Sequence, residues 1–176
     1  MRRRFMNRTP QGEYLTITAI NDAEISFTKR APVGNLYYRK GIRWELYSNT
    51  LIILSSGESV QFKGDFSPWT NEDFVSSGLG CGTFTITGEC NISGYCTSIV
   101  EGAEDKEYVF YELFRDCDIV DASSLIIPVM DLASSCYAYM FYNCTSLITA
   151  PELPATTLAS SCYAYMFYNC TSLITA

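Results

Sequence analysis

The chain has 176 residues, nearly half of them apolar and 18% charged, which is the composition of a globular protein with room for a real hydrophobic core in one large or two small domains. Its net charge of −7 is unevenly placed: residues 1–43 carry nine Lys or Arg and three acids, residues 44–176 three and sixteen. Histidine is absent, which removes Ser-His and Cys-His nucleophile pairs, imidazole bases and every zinc site that uses His.

Residues 1–12 read as a basic flexible tail. Arg2, Arg3, Arg4 and Arg8 have no stacking motif around them, so no nucleic-acid partner is expected. The same start has a positive n-region without an apolar h-region, which is not the pattern of an ordinary secretory precursor. No stretch approaches the roughly 20 apolar residues of a spanning helix, so no transmembrane segment is expected.

Residues 13–106 are predicted to form a β-sandwich-like domain. The runs YLTITAI, AEISF, NLYY, IRWELY, LIIL, SVQFKGDF, GTFTIT and CNISGYC are rich in β-branched and aromatic residues and are separated by turn material such as Asn21-Asp22 and Ser55-Ser56-Gly57. Seven or eight such strands suggest a sandwich or small barrel. Gly78, Gly80 and Gly82 in SGLGCG lead into a strand pattern and not a helix, so they read as a turn and not as a phosphate loop. Trp44, Trp69, Tyr37 and Tyr38 are either a sugar-stacking platform or, more simply, core. The acidic stretch EGAEDKE, residues 101–107, reads as a solvated junction.

Residues 107–176 repeat themselves. Residues 132–150 and 158–176 are identical over nineteen positions at an offset of 26, and PELPATT links them. A degenerate copy precedes them, with Leu113, Phe114 and Cys117 where Met140, Phe141 and Cys144 fall. A period of 26 lies in the leucine-rich repeat range. Cys136, Met140 and Cys144 recur at i, i+4, i+8 beside Phe141, which predicts one face of a short helix, with Asn143 at its end and Leu147 on the return path. The stretch LITAPEL is the expected strand, short or interrupted because Pro151 removes a ladder donor. Cys162, Met166, Phe167, Cys170 and Leu173 repeat the same core one unit on. The architecture expected from the residues is therefore mixed: an all-β sandwich-like domain, then a short α/β leucine-rich repeat solenoid whose units must stack to bury their apolar faces.

There are eight cysteines and no closely paired C-x-x-C knuckle of the kind a Cys-only zinc site needs. On a helix Cys136 and Cys144 would stand about 12 Å apart, beyond the roughly 7 Å a disulfide spans. The five repeat cysteines are therefore expected to be buried free thiols, and Cys81, Cys90 and Cys96 are assigned the same way with less to decide it. Asp116, Asp118 and Asp121 lack the Gly and closing Glu of a calcium loop, so neither a metal nor any other cofactor is expected. The N-x-S/T triplets at Asn143 and Asn169 fall inside the repeat, where an Asn ending a helix explains them. With Met140, Phe141 and Cys144 inward, Tyr139, Tyr142, Tyr165 and Tyr168 would form an outward aromatic stripe suited to partner contact. Thr149 and Glu152, on the presumed strand face, are the alternative contact positions.

The phrase CYAYMFYNCTSLxTAPELPATTLA resembles the repeat of BspA-like leucine-rich repeat proteins, a group of bacterial and phage-associated surface proteins. Phe141, Cys144 and Leu147, and Phe167, Cys170 and Leu173, carry the likeness over residues 107–176. The resemblance implies a surface-displayed module that binds a protein or glycan, with no catalytic residues, at a cell surface or outside the cell. The alternative is a structural or fibre-type virion protein, or a display spacer, which suits the missing signal pattern. A stack needs a polar terminal cap, and residues 172–176 leave an apolar coil open, so further repeats are expected beyond residue 176.

Overall fold

The computed structural model describes residues 14–30, 34–66, 69–76, 79–128 and 132–174. The basic tail, Gly78 and the last two residues lie outside these. Each of the eight β-rich runs contains a strand: β1 (Leu15–Ala19), β2 (Ala23–Lys29), β3 (Asn35–Arg39), β4 (Glu45–Leu46), β5 (Ile52–Leu54), β6 (Ser59–Asp65), β7 (Gly82–Thr87) and β8 (Cys90–Tyr95). Period-2 alternation sorts their side chains, as in β1 and β6, where every second residue is buried.

The strands form two sheets, a six-stranded one in the order β4-β3-β6-β1-β8-β9 and a three-stranded one in the order β5-β2-β7, with β9 running from Ile119 to Ile126. All pairs are antiparallel except β8 with β9, whose register shifts twice. The sheets meet through aromatic rings: Phe84 of β7, 4.8 Å from its cross-strand neighbour Phe27 of β2, packs 4.9 Å from Phe62 of β6 in the larger sheet. Buried Ser98, in a 3-10 turn spanning Cys96–Val100, accepts from the Leu15 amide (2.9 Å) and donates to the Phe62 carbonyl (3.0 Å), tying that turn to two strands. Gly64 permits this approach, because a Cβ there would stand 1.9 Å from the Ile99 carbonyl oxygen.

Among the described residues the α-helical segment is α1 (Asn71–Ser76). It starts on a reciprocal cap: the Thr70 amide and hydroxyl donate to Asp73 Oδ2 (2.8 Å each), and the Asp73 amide donates back to Thr70 Oγ1 (3.3 Å).

The α/β leucine-rich repeat solenoid expected for residues 107–176 is not formed. The molecule is a small, mostly β domain with open sheets, and the segment around Cys136, Met140 and Cys144 is a run of turns. Ser135, Tyr139 and Asn143 have φ of 55°, 60° and 62°, so a left-handed residue interrupts the chain every fourth position and no helix can propagate. Each occupies the third place of a turn closed by an i→i+3 bond: Cys136 N to Ala133 O, Met140 N to Tyr137 O and Cys144 N to Phe141 O, at 3.1 to 3.4 Å. Positive φ at that place alone is the mark of a type II turn. Turns closed by Ala138 N to Ser135 O and Tyr142 N to Tyr139 O, both 3.1 Å, alternate with them and complete a continuous ribbon.

The ribbon leaves half its amides for the next unit, and that is how the repeats stack. Residues 135, 137, 139, 141 and 143 donate to the carbonyls of residues 160, 162, 164, 166 and 168 at 2.8 to 3.0 Å. Residues 108, 110, 112, 114 and 116 donate in the same way to residues 134, 136, 138, 140 and 142 at 2.9 to 3.2 Å. The first ribbon in turn accepts from β7 and the residue before it, with Cys81 N on Val109 O (3.1 Å) and Phe84 N on Leu113 O (2.8 Å). On the other layer β9 extends the larger sheet. The predicted strand in LITAPEL is reduced to one parallel bridge between Thr149 and Asp121, with Ile148 N on Val120 O (2.8 Å) and Ile174 N on Ile148 O (3.0 Å) continuing the stack. The first unit thus covers the β7 edge of the smaller sheet and adds β9 to the larger one, and each later unit covers the one before it, so edges that would otherwise stand open for pairing are taken. One buried cluster runs from Leu15 through Leu113, Phe114 and Phe141 to Met166.

Candidate binding surface

The four-residue ribbon repeat sorts side chains by position. Cys136, Met140, Phe141, Cys144 and Leu147 are fully buried, as are Leu113 and Phe114, and Cys117, Cys162 and Met166 are nearly so. Phe167, Cys170 and Leu173 are half-buried. Because like residues stack on like, aromatic rings line up in columns along the repeat axis. Phe84, Phe114, Phe141 and Phe167 form one, with centroids 5.4 to 5.7 Å apart and planes within 17°; Phe110, Tyr137 and Tyr163 form another at 5.1 and 5.7 Å.

The candidate tyrosines form two further columns on the outer side of the ribbon. Tyr139 stacks on Tyr165 at 5.1 Å and Tyr142 on Tyr168 at 5.1 Å, while Tyr139 meets Tyr142 at 5.5 Å and Tyr165 meets Tyr168 at 5.9 Å. Tyr139 and Tyr142 are half-buried, whereas Tyr165 and Tyr168 are 58% and 55% exposed. Tyr111 extends the set below Tyr139 at 5.4 Å, and the Arg115 guanidinium lies 4.9 Å from the Tyr142 ring centre. Arg115 is held by Glu112 and Asp116, and Glu112 also pairs with Arg30 at 2.8 Å, joining this base to the β-sheets. Beside the tyrosines, Asn169 Nδ2 donates to Asn143 Oδ1, and Asn143 Nδ2 donates to Asp116 Oδ1 at 2.6 Å. All three sit at left-handed positions, a conformation Asn and Asp tolerate.

The alternative contact residues lie elsewhere. Thr149 is half-buried, with its carbonyl accepting from Ala122 N (2.9 Å), and Glu152 is exposed; both belong to the strand layer and not to the tyrosine ribbon. The three close aspartates serve separate roles: Asp116 takes the Asn143 amide, Asp118 Oδ2 accepts from Gly88 N (3.2 Å) and Asp121 Oδ1 from Ser123 N (2.8 Å). Among the described residues no three His, Cys, Asp or Glu converge as metal ligands, and no helix is long and apolar enough to cross a membrane.

All eight cysteines are free, seven of them buried and Cys170 intermediate. Burial pushes the thiols of Cys81, Cys96, Cys136 and Cys144 up to about 12. Three of the repeat thiols have a structural role that spacing alone does not reveal. Cys117, Cys144 and Cys170 donate to the carbonyls of Phe84, Phe114 and Phe141 at 3.2, 3.0 and 3.1 Å, each reaching back one layer.

Of the aromatic residues considered as a sugar platform, Trp69 is buried against Phe74. Trp44 is occupied by Arg39 and Lys63, each 4.7 Å from its ring centre, with Tyr14 edge-on at 4.8 Å. Next to it Arg39, Gln61, Thr16, Ser93 and Ser124 pair in one row across the large sheet, beside a polar groove of about 310 Å³. The solvent-facing positions of the same alternating strands are the signal for this row, and it becomes visible only once the strand order is known.

No protein-family model, curated protein or solved structure matches the chain.

Proposed function

We propose that the protein is a non-enzymatic binding or adhesion module, and that Tyr139, Tyr142, Tyr165 and Tyr168 form its contact surface for a protein or glycan ligand. The observation that carries this reading is the pair of stacked columns at 5.1 Å, with Tyr165 and Tyr168 more than half exposed. Stacking fixes the rings before a ligand arrives, so their apolar faces and hydroxyl tips are presented at low entropic cost. Repetition multiplies one contact along the stack. The likeness of residues 107–176 to BspA-like surface proteins belongs to this proposal, as does display at a surface.

The test is a glycan and host-protein array probed with the intact chain and with a variant carrying Ser at all four tyrosines, after circular dichroism has shown both folded. Binding lost in the variant is expected. Binding that persists unchanged would overturn the assignment of these residues.

A further inference from the structure

On the outer face of the six-stranded sheet, one row of side chains differs from its neighbours in what it leaves unbonded. The row takes one residue from each of five strands: Arg39, Gln61, Thr16, Ser93 and Ser124. At about 4.8 Å between strands it runs roughly 19 Å. Its first half is linked: Arg39 Nε donates to Gln61 Oε1 (2.8 Å), Gln61 Nε2 to Thr16 Oγ1 (3.3 Å), and Thr16 Oγ1 to the Tyr14 carbonyl (2.8 Å). These bonds orient the groups. They leave the terminal guanidinium nitrogens, the second Gln61 Nε2–H and the Ser93 and Ser124 hydroxyls without a hydrogen-bond partner among the described residues. In the adjacent row the Thr18 and Ser59 hydroxyls instead satisfy each other at 2.9 Å.

One end of the row is cationic and has no counter-charge. Arg39 and Lys63 each lie 4.7 Å from the Trp44 ring centre, with Tyr14 5.5 Å from Arg39 and Tyr37 5.6 Å from Lys63. The rings hold both cations without neutralising them. Neither pairs with a carboxylate among the described residues, whereas Arg30, Lys40, Lys106 and Arg115 each do. From there the groove of about 310 Å³ continues along Thr16, Gln61, Ser93 and Ser124, with Tyr14 and Ile126 as its apolar contacts.

We propose that this row and groove bind an acidic oligosaccharide, a chain of uronic acid residues, with a carboxylate on Arg39 and Lys63 and the sugar hydroxyls along the rest of the row. A guanidinium fork matches a carboxylate in geometry as well as charge. Ser and Thr hydroxyls and the Gln amide donate and accept, as ring hydroxyls do, and the strand spacing repeats them at close to the length of one pyranose. Tyr14 and Ile126 meet the C–H face of a ring. A protein partner would need aromatic or aliphatic anchor pockets, which a lining this polar does not supply. The site lies on the large sheet and the tyrosine surface on the ribbon, so either assignment can fail without the other.

The test is calorimetric titration of the intact chain with a linear uronate tetrasaccharide, with its fully methyl-esterified form and inorganic polyphosphate as controls. Saturable binding of the acid form, at least about tenfold tighter than the ester, is expected from the loss of a charge-assisted contact. Gln61→Glu keeps the shape but neutralises Arg39 and repels a carboxylate, and it should weaken binding at least about tenfold, as should Arg39→Gln. Ser93→Ala, which removes one hydroxyl, should weaken it about threefold. Circular dichroism checks that each variant is folded. Replacing Arg2, Arg3 and Arg4 together by Gln, or the four ribbon tyrosines by Ser, should leave binding as in the parent. Absence of binding, equal binding of the ester or of polyphosphate, insensitivity to both Gln61→Glu and Arg39→Gln, or loss with the tail arginines or the ribbon tyrosines would each overturn the proposal.

Discussion

The second and third repeat units are the same nineteen letters in two environments. Phe141 and Cys144 of the second have no exposure, whereas Phe167 and Cys170 of the third are half-buried; Tyr139 is half-buried where Tyr165 is 58% exposed. Local propensity is equal by construction, so the difference is due to neighbours. A unit adopts its ribbon when one side is stacked, since the third keeps all its i→i+3 turns and left-handed residues while stacked on one side only among the described residues. The second neighbour adds burial and five further amide bonds.

The largest expected effect follows from that difference. Phe141→Ala removes the middle of the phenylalanine column and leaves a cavity between two layers, at a cost of about 3–5 kcal/mol. Phe167→Ala removes the same ring from the outermost layer, where solvent already reaches it, at a cost of about 1 kcal/mol. Urea unfolding of the two variants measures the gap. Equal midpoints would mean that the third layer is as enclosed as the second.

The cysteines sharpen the comparison. Burial raises Cys144 to about 12, and raises Cys170 in the same direction. Under native conditions Cys170 should react first with a thiol reagent, with Cys144 slower by roughly a hundredfold, the equivalent of about 2.7 kcal/mol of local opening. Peptide mapping of the labelled chain decides it, and equal rates would contradict the layered burial. The same thiols make stability depend on pH. A thiol that ionises at its ordinary 9.0 when unfolded but stays protonated to about 12 when folded contributes fully below pH 9. Above that, the unfolded chain releases protons which the fold retains, so urea midpoints should fall as pH rises from about 9 to about 12. Cys144→Ala should flatten that fall more than Cys170→Ala.

The strands and the repeat were legible in the sequence, and the conformation of the repeat was not. Alternation in runs such as GTFTIT marks a strand directly, because period 2 belongs to few other structures. Cys136, Met140 and Cys144 share a face at i, i+4, i+8 both in a helix and in a ribbon whose turn pattern recurs every four residues, so side-chain periodicity cannot separate them. What separates them is the backbone at Ser135, Tyr139 and Asn143, and only Asn143 carries a residue type that favours φ above zero. The short helix α1 is not legible from sequence although Thr70 and Asp73 stand at capping-box spacing, because no hydrophobic period follows in so short an element. Of the site, the tyrosine spacing was readable, but its base on Arg30, Glu112 and Arg115 depends on contacts 82 residues apart in the chain.

The asparagine ladder gives the smallest contrast and the most local one. Asn143 donates to Asp116, accepts from Asn169 and holds φ at 62°, whereas Asn169 donates to Asn143 and accepts from no side chain among the described residues, at φ 60°. Asn143→Ala loses two side-chain hydrogen bonds and places Ala in a left-handed conformation, for about 2 kcal/mol. Asn169→Ala loses one exposed bond with the same backbone penalty, for about 1 kcal/mol. Gly removes the backbone penalty at either site, so Asn169→Gly should lie within about 0.5 kcal/mol of the parent, while Asn143→Gly should still be destabilised by the lost bonds. If both glycine variants match the parent in urea unfolding, the ladder contributes nothing and these asparagines serve only their left-handed backbone.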